Sequence, residues 1–211
     1  MVFRLSRFLV WLVLRTLFGF RVEGGHHEPA SGPLLIVSNH VSELDPLVVG
    51  AALHRRVNFM AKIELFGPPL LRWWVTACGA FPVRRGEADR QAFRTARAVL
   101  ERGEALVMFP EGTRGTGLHD LRPPEPGAAL LALRTGAVIL PVAVIGTDAV
   151  FPKGARRLSR GTIRVRVAPP IRIDGLTSGG ATGRADRERI ETVGRQFMDV
   201  IAQLLDDTRT A

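Results

Sequence analysis

The stretch Leu34-Leu35-Ile36-Val37-Ser38-Asn39-His40-Val41-Ser42-Glu43-Leu44-Asp45-Pro46 joins an apolar run to a polar turn and then to a helix start. Four successive large aliphatic residues read as a strand buried on both faces, as parallel sheets require. Asp45-Pro46 reads as a helix opening, with Pro46 at the first helical position and Asp45 as its cap. The pattern is strand, turn, helix.

The same alternation continues along the chain. Strands are predicted at 58–61, 80–83, 105–109, 138–145 and 162–167. Helices are predicted at 45–54, 69–77, 88–102, 127–135 and 187–205, with Gly103 and Gly136 as C-terminal stops for two of them. Residues 110–126 and 174–185 read as long loops, and polar, Gly/Pro-rich 22–33 reads as a linker. Strands interleaved with helices predict an α/β fold, a mostly parallel central sheet flanked by helices. Pro141, inside an apolar strand, predicts an edge or a bulge. At 211 residues the chain fits one domain over 22–211 preceded by a segment 1–21.

Residues 1–20, MVFRLSRFLVWLVLRTLFGF, are apolar with inserted arginines. On an ideal helix Arg4, Arg7, Arg15 and Arg21 fall within an arc of about 120°, while Leu5, Phe8, Leu9 and Leu12 lie on another side. Arg15 interrupts the apolar run before it can span a bilayer. The segment therefore reads as an amphipathic helix lying in the headgroup region. A docked terminal helix and a spanning anchor that tolerates Arg15 remain open. A signal peptide is disfavoured because no small-x-small cleavage site follows Phe20.

The net charge of +9 favours an anionic partner. Tyrosine is absent, aromatics do not alternate with basic residues, and no zinc-finger or basic-zipper pattern exists, so no nucleic-acid partner is expected. An anionic membrane surface is expected instead. The single cysteine, Cys78, excludes an internal disulfide and a cysteine-rich metal site. No metal is expected.

Five positions separate His40 from Asp45. On one helix they would stand about 140° apart, so they meet only if His40 sits in the turn and Asp45 at the helix mouth. The Pro46 signal places Asp45 there independently. A carboxylate so placed orients the imidazole as in hydrolase triads. No G-x-S-x-G elbow supplies a serine nucleophile, so His40 reads as a base acting directly on a substrate hydroxyl. Alone, H-x4-D is degenerate, and a loop histidine beside a helix cap explains it equally. A second cluster, Phe109-Pro110-Glu111-Gly112-Thr113-Arg114-Gly115, follows a strand end and suits an anion site, with Arg114 as a bidentate fork and Glu111 holding Arg114 or accepting a hydroxyl. A third, Gly79–Arg85, ends a strand in two arginines. Lys62 is a further cation near a strand end. His26-His27 is read as linker, and Trp73-Trp74 as core or membrane-facing packing.

In order and spacing these blocks resemble the lysophospholipid acyltransferases of the 1-acylglycerol-3-phosphate acyltransferase type. Asn39–Asp45 is similar to the family's N-H-x4-D block, Gly79–Arg85 to its second, Phe109–Arg114 to F-P-E-G-T-R, and Val138–Pro141 to its fourth. The resemblance covers about residues 22–170. It implies transfer of an acyl group from acyl-CoA or acyl carrier protein to a lysophospholipid hydroxyl, with His40 as base and Asp45 orienting it. It implies binding of the glycerol phosphate by Arg85, Glu111, Gly112, Thr113 and Arg114, no cofactor beyond the thioester co-substrate, and a place on the cytoplasmic face of the cell membrane, peripheral or singly anchored. Three departures touch the acceptor side: Arg84 where the family often has aspartate, Gly115 where serine is common, and Glu125-Pro126 where a lysine often precedes Gly127. A non-catalytic lipid-binding protein on the same fold, an esterase using water, and a different lysolipid acceptor are the competing readings.

Overall fold

The computed structural model of the chain describes residues 2–84, 89–173 and 184–206. Its centre is the strand Leu34–Ser38. The strands are β1 (Arg21–Glu23), β2 (Leu34–Ser38), β3 (Val57–Lys62), β4 (Ala80–Val83), β5 (Ala105–Met108), β6 (Val138–Ile145) and β7 (Arg164–Val167). They form one sheet in the order β1-β7-β6-β2-β5-β3-β4. The pairs are parallel except β6–β7, which is antiparallel. All five residues of β2 are buried, because helices cover both faces of its sheet position.

The helices are α1 (Val2–Phe18), α2 (Asp45–Ala52), α3 (Pro69–Ala77), α4 (Arg90–Glu101), α5 (Pro126–Thr135), α6 (Thr147–Val150) and α7 (Arg184–Asp206). Period-2 alternation splits β2 between two cores. Leu34 and Ile36 pack with Val48 and Val49 of α2 and Leu14 and Phe18 of α1. Leu35 and Val37 pack with Val99 of α4, Leu131 of α5 and Phe197 of α7. Each such fully buried aliphatic side chain contributes roughly 1.5–3 kcal/mol.

Several sequence expectations change. The segment read as a linker holds β1 and a 3-10 turn, Gly25–His27. β1 is three exposed polar or charged-flanked residues at the sheet edge, so no apolar period announced it; it pairs with β7 and is tied there by Arg166 Nε–Glu23 Oε2 at 2.8 Å. Leu44, not Asp45, is the N-cap of α2, and Asp45 is its first helical residue with Pro46 next. The Asp45 carboxylate is turned back onto the preceding loop instead of forward onto the helix. α4 starts after Asp89, whose side chain accepts from the Gln91 and Ala92 N–H groups; Arg85 and Ala88 lie outside the described residues. Most of the predicted 174–185 loop lies outside them as well.

Pro141 is not on an edge strand, since β6 lies between β7 and β2. It does mark a bulge. Val142 pairs with Val167, yet three residues earlier Ile139 pairs with Ile171, four residues later on the partner segment. The Pro141 carbonyl accepts from Ala168 N–H at 3.0 Å inside this slip, and the amide that proline lacks falls where regular pairing is already broken.

α1 has three faces instead of two. Leu14 and Phe18 are buried on the domain, with Phe3 and Val10 packed beside them. Leu5, Phe8, Leu9, Leu12, Val13 and Leu17 are exposed. The arginine arc is only partly free for a partner. Arg7 Nη1 donates to the carbonyls of Leu53 (2.9 Å) and His54 (2.6 Å) at the end of α2, and Arg15 Nη1 to Phe20 O (3.2 Å). Arg21 has left the helix for β1. Arginine on the last carbonyls of a helix is a favourable cap. Among the described residues no helix is long and apolar enough to cross a membrane.

Candidate active site

The site lies where the C-terminal ends of β2, β5 and β6 meet, the usual ligand edge of an open parallel sheet. Asn39 and His40 follow β2 directly. The Asn39 amide bonds β6 in both directions, Nδ2 to Val144 O (2.9 Å) and Val144 N to Oδ1 (2.8 Å). It continues the β2–β6 ladder with a side chain after the backbone has turned away, and so fixes where the turn begins.

His40 is buried, and its Nδ1 stands 2.9 Å from Asp45 Oδ2. The same oxygen accepts from Val41 N–H and Ser42 N–H, both at 2.8 Å. The other, Oδ1, accepts from Thr147 Oγ1 at 2.6 Å. A carboxylate offers only lone pairs here, so Nδ1 carries the imidazole proton and Nε2 is the acceptor. The ring stacks on Phe109, with centroids 4.2 Å apart and planes 23° apart. Sequence spacing predicted this pairing, and the loop 40–44 is the turn it required.

The F-P-E-G-T-R segment holds the same loop from the β5 side. Glu111 is buried, with Oε1 accepting from His40 N–H (2.9 Å) and Oε2 from Arg122 N–H (3.2 Å), while Gly115 N–H donates to His40 O (2.8 Å). His40 thus has its backbone clamped at both its amide and its carbonyl. Burial pushes the Glu111 carboxyl above its ordinary range, and the two backbone hydrogen bonds pull the other way. Gly112 has φ +68°, a left-handed conformation that favours glycine, and the Glu125 carboxylate lies over its Cα. Thr113 is exposed.

The expected Glu111–Arg114 pairing does not form. Arg114 instead meets Glu43, Nη1 to Oε1 at 3.1 Å, because both Glu111 oxygens are already occupied by backbone donors. Arg114 is 15% exposed and Glu43 60%, so the guanidinium is set into the site and the carboxylate faces solvent. Arg85 lies outside the described residues.

His40, Glu43, Lys62 and Arg114 line one cavity of about 350 Å³. Arg7 and Ser6 of α1 line it too, and the rest of its wall is mostly apolar, with Val10 of α1, Leu47 and Ala51 of α2, Phe59 of β3, and Leu71 and Val75 of α3 among the residues. Lys62, read from sequence as a cation near a strand end, lies on the cavity wall. α1 closes one side, and Trp74 Nε1–H to Ser6 Oγ (3.0 Å) joins α3 to it. Neither Thr147 nor Glu43 was singled out from sequence. No local pattern marks them, since one acts across 102 residues and the other is a turn carboxylate like many surface ones. Among the described residues no three His, Cys, Asp or Glu side chains gather as a metal site would need. His27 Nδ1 bonds Val167 O at 2.9 Å, and its ring lies 4.1 Å from that of His26.

Comparison with known proteins gives a consistent picture. The Acyltransferase family pattern matches residues 19–145. The human 1-acyl-sn-glycerol-3-phosphate acyltransferase alpha is 34% identical over 186 residues, which are 86% of this chain and 65% of that protein. The 1-acyl-sn-glycerol-3-phosphate acyltransferase of Streptococcus pneumoniae is 30% identical over 83% of this chain and 61% of its own length. The lyso-ornithine lipid O-acyltransferase of Pseudomonas aeruginosa is 32% identical over 82% of this chain and 72% of its own. The chain thus spans about two thirds of the length of these relatives. The crystal structure of the 1-acyl-sn-glycerophosphate acyltransferase of Thermotoga maritima superimposes with a TM-score of 0.83, covering 99% of this chain and 80% of that one at 23% identity, a likeness of fold.

Proposed function

The chain belongs to the Acyltransferase family, and from that membership we propose that it moves a fatty acyl group from an acyl thioester to the hydroxyl of a lysophospholipid. The donor is acyl-CoA or acyl carrier protein, and the first acceptor is 1-acylglycerol-3-phosphate, giving phosphatidic acid, as the names of the human and pneumococcal relatives suggest. One observation carries this reading. His40, anchored through Nδ1 by Asp45, lines the same apolar cavity as Arg114 and Lys62. A base, a cation pair and a greasy groove are what joining an acyl chain to a phosphate-bearing alcohol requires.

In this mechanism His40 Nε2 accepts the acceptor's hydroxyl proton as the oxygen attacks the thioester carbonyl. The tetrahedral adduct collapses, the C–S bond breaks, and the imidazolium returns the proton to the leaving thiolate. The products are an ester and a free thiol. Asp45 holds the tautomer and offsets the transient imidazolium charge. Arg114, Lys62 and Arg85 hold the phosphate, with the Gly112-Thr113 turn shaping that end. Glu111 acts as a positioning residue for His40. The cavity lies within the range of about 300–1,000 Å³ typical of ligand pockets and takes acyl chain. The exposed apolar face of α1, with Leu70 and Trp73 of α3, rests on the bilayer that supplies the acceptor, peripherally and on the cytoplasmic face. Cations of the +9 chain assist on anionic lipid.

A second acceptor class is favoured by Glu43. Its carboxylate beside Arg114 would suit a head group carrying an ammonium, as the name of the Pseudomonas relative suggests.

The test is thiol release from one acyl-CoA and one acyl carrier protein donor against a panel: lysophosphatidic acid, lyso-ornithine lipid, glycerol phosphate and no acceptor. Acceptor-dependent release is expected, falling by about 10²–10⁴-fold in His40→Ala. Release without any acceptor would make the protein a thioesterase. Lipid binding with no turnover, unchanged in His40→Ala, would make it a binding protein.

A further inference from the structure

We propose that Thr147 is a positioning residue of the catalytic pair: its hydroxyl holds the free oxygen of Asp45 and thereby sets the orientation of His40. The inference rests on the reading of His40 and Asp45 as the reacting base and its partner. It gives a chemical task to the segment just past the fourth sequence block, to which the sequence assigned no role.

The geometry begins with strand register. Ser38 of β2 stands opposite Val142 of β6 in the parallel ladder, so the chain beyond β6 runs alongside the His40 turn. Asn39 grips Val144, two residues further on. Gly146 then turns the chain with φ +89°, and a Cβ there would lie 2.0 Å from Thr162 O, so only glycine makes this turn. Thr147 follows at once as the first residue of α6, fully buried. Its Oγ1 donates to Asp45 Oδ1 at 2.6 Å, across 102 residues of sequence.

The two oxygens of Asp45 are held by different parts of the molecule. Oδ2 takes three donors from its own loop: the imidazole, Val41 N–H and Ser42 N–H. Oδ1 takes Thr147. A carboxylate held at one oxygen alone can rotate about its Cβ–Cγ bond, and rotation carries the other oxygen off the Nδ1–H line. The Thr147 hydroxyl removes that freedom from the opposite side. The arrangement closes into a ring. Phe151 N–H donates to Thr147 O (2.8 Å), Ser42 Oγ–H to Phe151 O (2.6 Å), and Ser42 N–H to Asp45. Every member is buried or half-buried, so water does not substitute for a lost donor. A buried acceptor stripped of a partner costs more than the bond itself was worth.

Two single-atom-scale variants separate positioning from packing. Thr147→Val keeps the volume and methyl and loses the hydroxyl. Thr147→Ser keeps the hydroxyl and loses the methyl. Steady-state kinetics on the full chain with acyl-CoA and lysophosphatidic acid should give, for T147V, a kcat lower by about 10- to 100-fold, as for loss of one hydrogen bond to a charged group. Both KM values should stay within about threefold. T147S should keep kcat within about threefold. A packing role predicts the reverse order, with valine tolerated and serine harmful, and that result, or unchanged kcat in T147V, overturns the proposal.

A spectroscopic arm keeps the test independent of turnover. In protein labelled with ¹⁵N-histidine, the His40 Nδ1-bound proton should give a low-field signal in wild type and T147S, and shift or broaden in T147V. An unmoved signal in folded T147V overturns the proposal. If T147V does not fold, a shifted T147S signal with kcat retained overturns it instead. If the wild type turns over no acceptor, the acyltransfer reading fails, while the histidine signal still reports whether Thr147 governs the pair.

Discussion

His40 and Asp45 meet as their spacing required, but the groups that hold them come from elsewhere in the chain. Glu111 illustrates this. Read from sequence as a ligand or a partner of Arg114, it spends both oxygens on the backbone amides of His40 and Arg122. Burial holds its carboxyl above the ordinary value of 4.5, against those two hydrogen bonds. A carboxyl raised on folding lends stability that is full below its unfolded value and lost as pH rises through the folded one. Urea midpoints between about pH 4 and pH 8 should therefore fall more steeply with pH in wild type than in Glu111→Gln, whose side chain does not ionise. Parallel profiles would remove Glu111 as the source of that slope. Glu43, invisible as a functional residue in the sequence, is the ion partner that Arg114 found once Glu111 was taken.

The elements carry a different lesson. α1 was read as two-faced and is three-faced: a docking stripe, an arginine flank that caps the end of α2, and an exposed apolar face. The helical period was legible because it is local. Which stripe docks was not, because Phe3, Val10, Leu14 and Phe18 are no more apolar than Leu5, Phe8, Leu9 and Leu12. Leu9→Glu with Leu12→Glu should leave the thermal midpoint near wild type, since both side chains are exposed, while weakening sedimentation with anionic vesicles. Unchanged vesicle binding would refute the bilayer role of this face. Asp45 teaches the same at a helix start. A cap was expected there from residue type, yet the carboxylate serves the loop behind it, where four donors converge.

The whole molecule separates chemistry from scaffold across its sheet. Site and cavity lie at the C-terminal strand ends on the side of α1, α2 and α3, while α4, α5 and α7 fill the opposite core. Phe197 of α7 is fully buried in that core and is not among the residues that line the cavity. Phe197→Ala should lower unfolding stability by roughly 3–5 kcal/mol with kcat per folded molecule unchanged, as measured by denaturant titration beside steady-state assay. A large kcat loss in fully folded protein would mean that the two faces are coupled. The α/β class, the buried β2, the order of helices and strands, the His40–Asp45 pair and the F-P-E-G-T-R turn were all readable in the linear chain. Each depends on period or adjacency within about a dozen residues, and short-range backbone physics governs that distance. The edge strand β1, the grip of Asn39 on Val144, the Arg7 cap on α2, the arrival of Lys62 at the cavity and Thr147 on Asp45 were not readable. They join positions up to 143 residues apart, and what brings them together is strand order and register, which exist only once the sheet has closed.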